Sequence, residues 1–251
     1  MRSVIFICLF ISASFSSYAI ESHKTDKKQL IANFIKQQTR ANISIGRSIS
    51  TILSRYPEKV DLVIPVALEL YPEQYEQIII GAINAEPALA CDVVTAAIES
   101  NVIKSEEIVR IAIASDPAYA NEIVESAAIS DIQEIQSIVR VAIASDSLDK
   151  NSFIESTMTS FPDQVTNILS AAMQALPDQL LNLLSSALQL YPSQAEEVVS
   201  TAVQNNQSHD NSDIVNAAIK QGMKQSVAID AALAGGASPE ELALVQVRKG
   251  N

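Results

Sequence analysis

Residues that could carry chemistry are few in this 251-residue chain, and they are scattered along it. The two histidines are His23 and His209, one in a basic N-terminal segment and one in a polar stretch, and the two cysteines are Cys8 and Cys91. Metal sites need clustered ligands, so an isolated histidine in such a segment is best explained as a solvated side chain. There is also no G-x-S-x-G turn and no glycine-rich phosphate loop. The sequence therefore predicts neither a metal site nor a cofactor.

Carboxylates are plentiful, and the adjacent pairs Glu106-Glu107 and Glu196-Glu197 are the candidates for acid–base catalysis. Such catalysis needs two carboxyl groups that converge on a substrate. Solvated helix faces explain both pairs more simply, because each lies on the polar side of a predicted helix. The segment from Asp210 to Asp213 offers oxygen ligands to calcium, but its spacing does not match an EF-hand loop. We therefore expect that the protein is not an enzyme.

The charged residues separate along the chain. There are 17 Lys and Arg against 29 Asp and Glu, which gives a net charge of −12 and argues against nucleic-acid binding. Residues 20–55 carry 7 basic and 2 acidic residues, whereas residues 56–215 carry 5 basic and 24 acidic ones. This pattern supports solubility, or else docking of the basic end onto anionic lipid, polysaccharide or the acidic body of another copy. The candidate binding residues of that end are Lys24, Lys27, Lys28, Lys36, Arg40 and Arg47.

The first nineteen residues have the layout of a signal peptide. A charged start is followed by an apolar run from Val4 to Phe15, and Ser17 and Ala19 are small residues at positions −3 and −1 of a cleavage site. The run is too short for a membrane anchor, which needs about 20 apolar residues. We expect cleavage after Ala19 and export of residues 20–251 to a periplasm or out of the cell, with no transmembrane segment left.

The prolines reveal an internal repeat. Position ten after the proline position is almost always alanine, and position seven is Ile, Val or Leu. Apolar residues fall mostly at positions 3, 6, 7, 10 and 11, which is helical spacing. Each unit is therefore predicted to be one helix with proline at its first position. Seven of the nine prolines share one phase, since every gap between them is a multiple of fifteen: Pro57, Pro72, Pro87, Pro117, Pro162, Pro177 and Pro192.

The sequence also repeats with a second period of 30 residues, twice the period of fifteen. Residues 108–116 and 138–146 are nearly identical, so alternate helices are alike. This favours an all-α fold, an α-solenoid of about thirteen 15-residue units paired into 30-residue antiparallel hairpins. The pattern resembles HEAT-like solenoids in general plan. The predicted organisation is a signal peptide (1–19), a basic, partly helical segment (20–41), the repeat domain (42–236) and a C-terminal capping helix with its tail (237–251).

Several residues predict where helices begin and end. Pro65 lies inside a predicted helix and should kink or shorten it. Residues 204–212 should form a longer loop, and Gly235-Gly236 should stop the last repeat before a capped helix that follows Ser238. The predicted N-caps are Asn101, Asp116, Asp131 and Asp146. The side chains predicted to pack over a turn are Tyr56, Tyr71, Phe161, Leu176 and Tyr191.

Arg110 and Arg140 occupy the same position in two alternate units. They should project from one face of the predicted solenoid, while Glu125 and Glu155 take the corresponding position in the other layer. The pair is a candidate for binding an anionic partner, and ordinary surface charge is the simpler explanation.

Together these features predict an exported, non-enzymatic helical-repeat protein that acts as a protein-binding module or scaffold. Its partner is an unidentified protein, which includes another copy of the same chain. One alternative is a structural subunit that assembles end to end, because similar units with ends of different charge favour heterologous stacking. A second alternative is a hydrolase whose site the sequence does not locate.

Overall fold

The computed structural model describes the backbone of residues 12–145, 148–207 and 210–247. It describes the side chains of residues 26–145, 148–207, 210–243 and 245. Most of the predicted signal peptide, the side chain of Lys24, and Asp146 and His209 lie outside these described residues. Over the described residues the fold is all-α and repeat-like. None of the described helices is both long enough and apolar enough to cross a membrane.

Fifteen α-helices follow one another in the described part of the chain, and all but the first have 9 to 11 residues. They are α1 (Ser12–Arg40), α2 (Ile45–Leu53), α3 (Val60–Leu70), α4 (Tyr75–Ala85), α5 (Ala90–Glu99), α6 (Ser105–Ser115), α7 (Ala120–Ser130), α8 (Ile135–Ala144), α9 (Lys150–Ser160), α10 (Val165–Ala175), α11 (Leu180–Leu190), α12 (Ala195–Gln204), α13 (Asn211–Lys220), α14 (Gln225–Ala234) and α15 (Pro239–Val247).

The sequence predicts that the prolines of the repeat start the α-helices. In the structure they instead begin a short 3₁₀ turn that precedes each helix. Pro72, for example, starts the turn Pro72–Gln74, and α4 follows it directly. The residue before a proline is pushed out of the α region by the proline ring. Tyr71 accordingly has φ −137° and ψ 60°, which ends α3. Ile132 begins the same kind of turn without proline, so the rest of the unit also specifies it.

Only one of the described N-cap candidates caps its own turn. The Asp116 carboxylate accepts a hydrogen bond from the Ala118 backbone N–H at 3.3 Å. Asp131 instead accepts one from the Ser105 hydroxyl at 2.7 Å, and therefore links the end of α7 to the start of α6. Asn101 has a left-handed backbone with φ 54° and follows the end of α5, a position typical of helix termination.

The tyrosines before the turns connect helices rather than only covering a turn. The Tyr71 and Thr39 hydroxyls are hydrogen-bonded at 2.8 Å, and the Tyr191 hydroxyl donates to the Met158 carbonyl at 2.7 Å. Each partner lies on the helix two places earlier, α1 and α9 respectively. Tyr56, by contrast, is 52% exposed. The half-buried tyrosines therefore fix the spacing between alternate helices.

Pro65 does not shorten its helix, so that part of the prediction is wrong. Helix α3 has 11 residues, as many as α4. Val63 and Ile64 before the proline and Val66 and Ala67 after it are all buried. Packing on both sides of Pro65 thus compensates for the backbone hydrogen bond that a proline removes.

The helices form two compact units, divided between Ile103 and Lys104. In the first, α1 to α5, and in the second, α6 to α15, each helix packs on the helix two places further along the chain. Alanines at position ten of the repeat lie in the interior, and their small side chains permit a close approach of neighbouring helices. Ten of them are completely buried: Ala67, Ala82, Ala97, Ala112, Ala127, Ala142, Ala172, Ala187, Ala202 and Ala232.

The last helices end near the predicted positions. The loop predicted over residues 204–212 is shorter, because α12 ends at Gln204 and α13 begins at Asn211, and the Asn206 and Asn211 side chains are hydrogen-bonded across it. Before α15, the Ser238 hydroxyl accepts from the Glu241 N–H at 3.3 Å, and the Glu241 carboxylate accepts from the Ser238 N–H at 2.9 Å. This reciprocal pair is a capping box. Asn211 also donates to Glu241 at 2.9 Å, which attaches α15 to α13.

Substitution Glu241→Ala should loosen α15 from α13. The hydrogen bond from the Asn211 amide, and after it that from the Ser238 N–H, lowers the pKa of the Glu241 carboxyl. A carboxyl with a lowered pKa in the folded state stabilises that state at neutral pH, and this contribution is lost as the pH falls through the lowered pKa. Amide exchange in α15 should therefore be faster in the variant at neutral pH, and the difference should vanish in acid. Equal exchange in Glu241→Ala and the neighbouring control Glu240→Ala would contradict this role.

Candidate functional site

The two arginines predicted to share a face lie on helices that pack together. Arg110 is on α6 and Arg140 on α8, and both side chains are exposed. The Arg110 Nε and Nη2 atoms donate to one Glu107 carboxylate oxygen at 3.1 and 2.9 Å. Arg140 Nη2 donates to the Ser137 hydroxyl at 3.4 Å. Because Glu107 offsets the Arg110 charge, the positive potential of this pair is smaller than the sequence predicts.

The other predicted binding residues lie in the first unit. Lys27, Lys36 and Arg40 are exposed on α1, and Lys28 is half-buried there. Arg47 is exposed on α2, which packs against α1. The described basic residues of the N-terminal end thus lie on two helices that pack together, and Arg110 and Arg140 lie in the second unit.

The first unit also exposes apolar side chains that the sequence analysis did not single out. Leu30 is 69% exposed and Phe34 39% exposed, both on α1. They lie four residues apart, which places them on one side of the helix. Ile35 is completely buried on the other side. A helix with apolar residues on more than one side is uncommon at a protein surface. The four-residue spacing of Leu30 and Phe34, which precede the repeat, was the sequence signal that could have revealed this apolar pair.

Two adjoining open grooves run along α12 in the second unit, and we call them the α12 grooves. The first has a volume of about 430 Å³, with an apolar floor that includes Leu188, Met223 and Val227. The second has a volume of about 470 Å³ and lies between α10, α12 and α14. Glu196 and Glu197 line both grooves and form the ridge between them.

The position of these glutamates follows from the repeat. Glu196 and Glu197 lie in the first turn of α12, where negative charge suits the helix N-terminus. Val198 and Val199, the next two residues, are completely buried and anchor the helix. Asp230 lines the second groove and Lys224 the first. The four charged lining residues therefore carry a net charge of −2, from three acidic groups and one basic group.

One polar bridge between alternate helices cannot form beside the second groove. Between α10 and the end of α12, Gln174 donates to Asn205 at 2.8 Å, and the Ser170 hydroxyl donates to the same oxygen at 3.1 Å. Two units later the corresponding positions hold Gln204 and Gly235, and the glycine has no side chain that could accept from the glutamine. Ala234, the neighbour of Gly235, lines the second groove, so glycine in place of asparagine is a sequence signal beside it.

The chemistry of the grooves is that of a recognition surface with acidic and apolar parts. Within the described residues, no three His, Cys, Asp or Glu side chains lie close enough together to hold a metal ion. Glu196 and Glu197, which the sequence analysis considered for acid–base catalysis, are both exposed. Exposed carboxylates beside apolar side chains attract cationic and amphipathic groups.

Substitution Gly235→Ala should displace the end of α14 from α12. An added Cβ would lie 2.6 Å from the Ser200 carbonyl oxygen and 2.8 Å from the Val203 Cβ, so the backbone must shift. Overpacking of this kind costs about 1–3 kcal/mol, which urea unfolding would measure. The adjacent exposed residue provides the control Ala234→Ser, whose effect should stay within about 0.5 kcal/mol. Equal stability of the two variants would refute the close contact.

Substitutions Arg110→Ala and Arg140→Ala should barely change stability. Both side chains are exposed, and exposed ion pairs contribute about 0–1 kcal/mol. Thermal unfolding of the double variant, followed by circular dichroism, should give the helicity of the unsubstituted protein and a loss below about 1 kcal/mol. A larger loss would show that the Arg110–Glu107 pair supports the fold rather than an interaction surface.

Comparison with known proteins gives no family for this chain. No protein-family model matches it, and neither a curated protein nor a solved structure does. The side chains and their geometry are therefore the basis for assigning a function.

Proposed function

We propose that the protein is an exported α-solenoid that acts as a protein-binding module or scaffold. The packing of each helix on the one two places further along supports the solenoid within each unit. The completely buried alanines, which recur at one position of the repeat, support about thirteen similar units. Stacked helical units provide extended binding surfaces without needing reactive residues. The layout of residues 1–19 supports export to a periplasm or out of the cell.

The observation that carries the proposal is the pair of α12 grooves. They are open to solvent and adjoin each other along one helix, whereas sites for small molecules enclose most of their ligand. An elongated occupant, such as a segment of another polypeptide, matches two neighbouring open grooves better than a compact metabolite. Recognition of a helix through apolar side chains in a groove is a common mode of protein binding.

The charge of the grooves defines the chemical class of the partner. Glu196 and Glu197 face both grooves, and Asp230 adds a third acidic group to the second groove. The floor of the first groove is apolar at Leu188, Met223 and Val227. The partner segment is therefore amphipathic and basic, with apolar side chains for the floor and Lys or Arg for the ridge.

A synthetic amphipathic helix with Leu and Lys on one face tests this proposal directly. Residues 20–251 should bind the peptide in fluorescence anisotropy, more weakly as salt screens the charges. The variant Glu196→Gln with Glu197→Gln should lose at least about tenfold in affinity, since two exposed charges contribute through steering and short-range attraction. Glu122→Gln with Glu125→Gln is the matched control, because these two carboxylates are exposed on α7 of the same unit. Equal loss of affinity in both variants, or no binding at all, would contradict the proposal.

A further inference from the structure

The first helix is far longer than the helices against which it packs. Helix α1 has 29 residues, whereas its neighbours α2 and α3 have 9 and 11. At about 1.5 Å per residue, α1 measures about 43 Å, and α3 about 16 Å. Cleavage after Ala19 would still leave about 31 Å of helix from residue 20 to residue 40. Part of α1 must therefore extend beyond the helices that cover it.

One side of α1 has the side chains of a docking surface. Lys27, Leu30 and Phe34 are spaced by three and four residues, so they follow one another along the same side. All three are exposed, and Leu30 is the more exposed of the two apolar ones at 69%. We call these three residues the α1 stripe. Exposure of two neighbouring large apolar side chains to water is unfavourable, and a partner that covered Leu30 and Phe34 would exclude that water.

The α1 stripe and the α12 grooves complement each other in charge and in polarity. The described side chains of α1 include four basic residues, Lys27, Lys28, Lys36 and Arg40, and one acidic residue, Asp26, for a net charge of +3. The charged residues that line the grooves sum to −2. The apolar part of the stripe corresponds to the apolar floor of the first groove, and Lys27, its one basic residue, corresponds to the glutamate ridge.

We propose that the α1 stripe of one molecule docks in the α12 grooves of a second molecule. This inference rests on the proposed function, because it names the occupant of the same grooves. The two surfaces differ, so the contact is heterologous, and every molecule in a pair retains one unoccupied stripe or groove. Further copies therefore add in the same way, and the assembly grows into a chain or closes into a ring.

Two variants separate the two halves of this contact. Leu30→Ser with Phe34→Ser removes the apolar part of the stripe and leaves the grooves intact. Glu196→Lys with Glu197→Lys reverses the ridge and leaves the stripe intact. All four side chains are exposed, so both variants should keep their helicity in circular dichroism. Ile129→Ser is the matched control, since Ile129 on α7 is 70% exposed and lies outside both surfaces.

Light scattering after size exclusion on residues 20–251 measures the outcome. For the unsubstituted protein and the Ile129→Ser control, the measured mass should increase with protein concentration. It should decrease as salt is raised from about 0.1 M to 1 M, because the screening length of electrostatic interactions shrinks from about 10 Å to 3 Å. Each double variant alone should remain monomeric. An equimolar mixture of the two should form a complex of one copy of each, because one intact stripe and one intact groove remain.

A constant monomer mass for the unsubstituted protein would overturn this inference, as would self-association of either double variant at the unsubstituted level. If the protein is monomeric but its grooves still bind the synthetic basic peptide, the proposed function stands and only the second copy is excluded as partner. If the peptide does not bind either, both proposals fail. Binding of the monomer to phosphatidylglycerol vesicles that depends on Leu30 and Phe34 would show instead that the stripe docks on an anionic membrane.

Discussion

Close packing of short helices around completely buried alanines is the constraint on which the rest of this structure depends. At each such position, for instance Ala112 on α6 and Ala142 on α8, the side chain is buried and extends no further than a Cβ. A larger side chain would push the helices apart and break contacts along their whole length. Alanine recurs at this position in nearly every unit, although Thr157 takes it in one, so each unit must supply one helix to the interior. A short helix, like α2 or α3, followed by a tight turn is the solution that the chain adopts.

Surface features follow from the same spacing. A given position recurs on alternate helices, so a polar residue at one position lies near the residue that follows its counterpart two units away. Gln136 and Asn167, on α8 and α10, are hydrogen-bonded in this way at 2.7 Å, and Gln174 and Asn205 continue the bridges to the end of α12. Where the series reaches Gly235, which has no side chain to accept from Gln204, the bridge cannot form, and the adjacent Ala234 lines the second groove. The candidate site is thus a local change in a regular pattern.

Much of the fold was predictable because its determinants are local. Periodicity placed a helix in every unit and the alanines in the interior. The stop at Gly235-Gly236 and the capped helix after Ser238 were correct as well. Apart from the role of the prolines, what the sequence did not predict are contacts between residues about two units apart. Tyr191 bonding to Met158, and Asp131 bonding to Ser105, depend on how alternate helices are placed. Glu196 and Glu197 were visible as an adjacent pair, but their place between two grooves depends on α10, α13 and α14.

The first helix of the first unit and the last helix of the second unit differ in a way that bears on the partner. A helix at the end of a packed unit has one side without a neighbour, and solubility requires that side to be polar. Among the described side chains of α15, Leu242 and Val245 are buried while Glu240 and Glu241 face solvent, in line with this requirement. Helix α1 departs from it, since Leu30 and Phe34 remain exposed although Ile35 already supplies a buried contact. A helix that needed only to end its unit would have a polar residue at both positions, so the apolar pair is more consistent with an interaction surface than with a simple end.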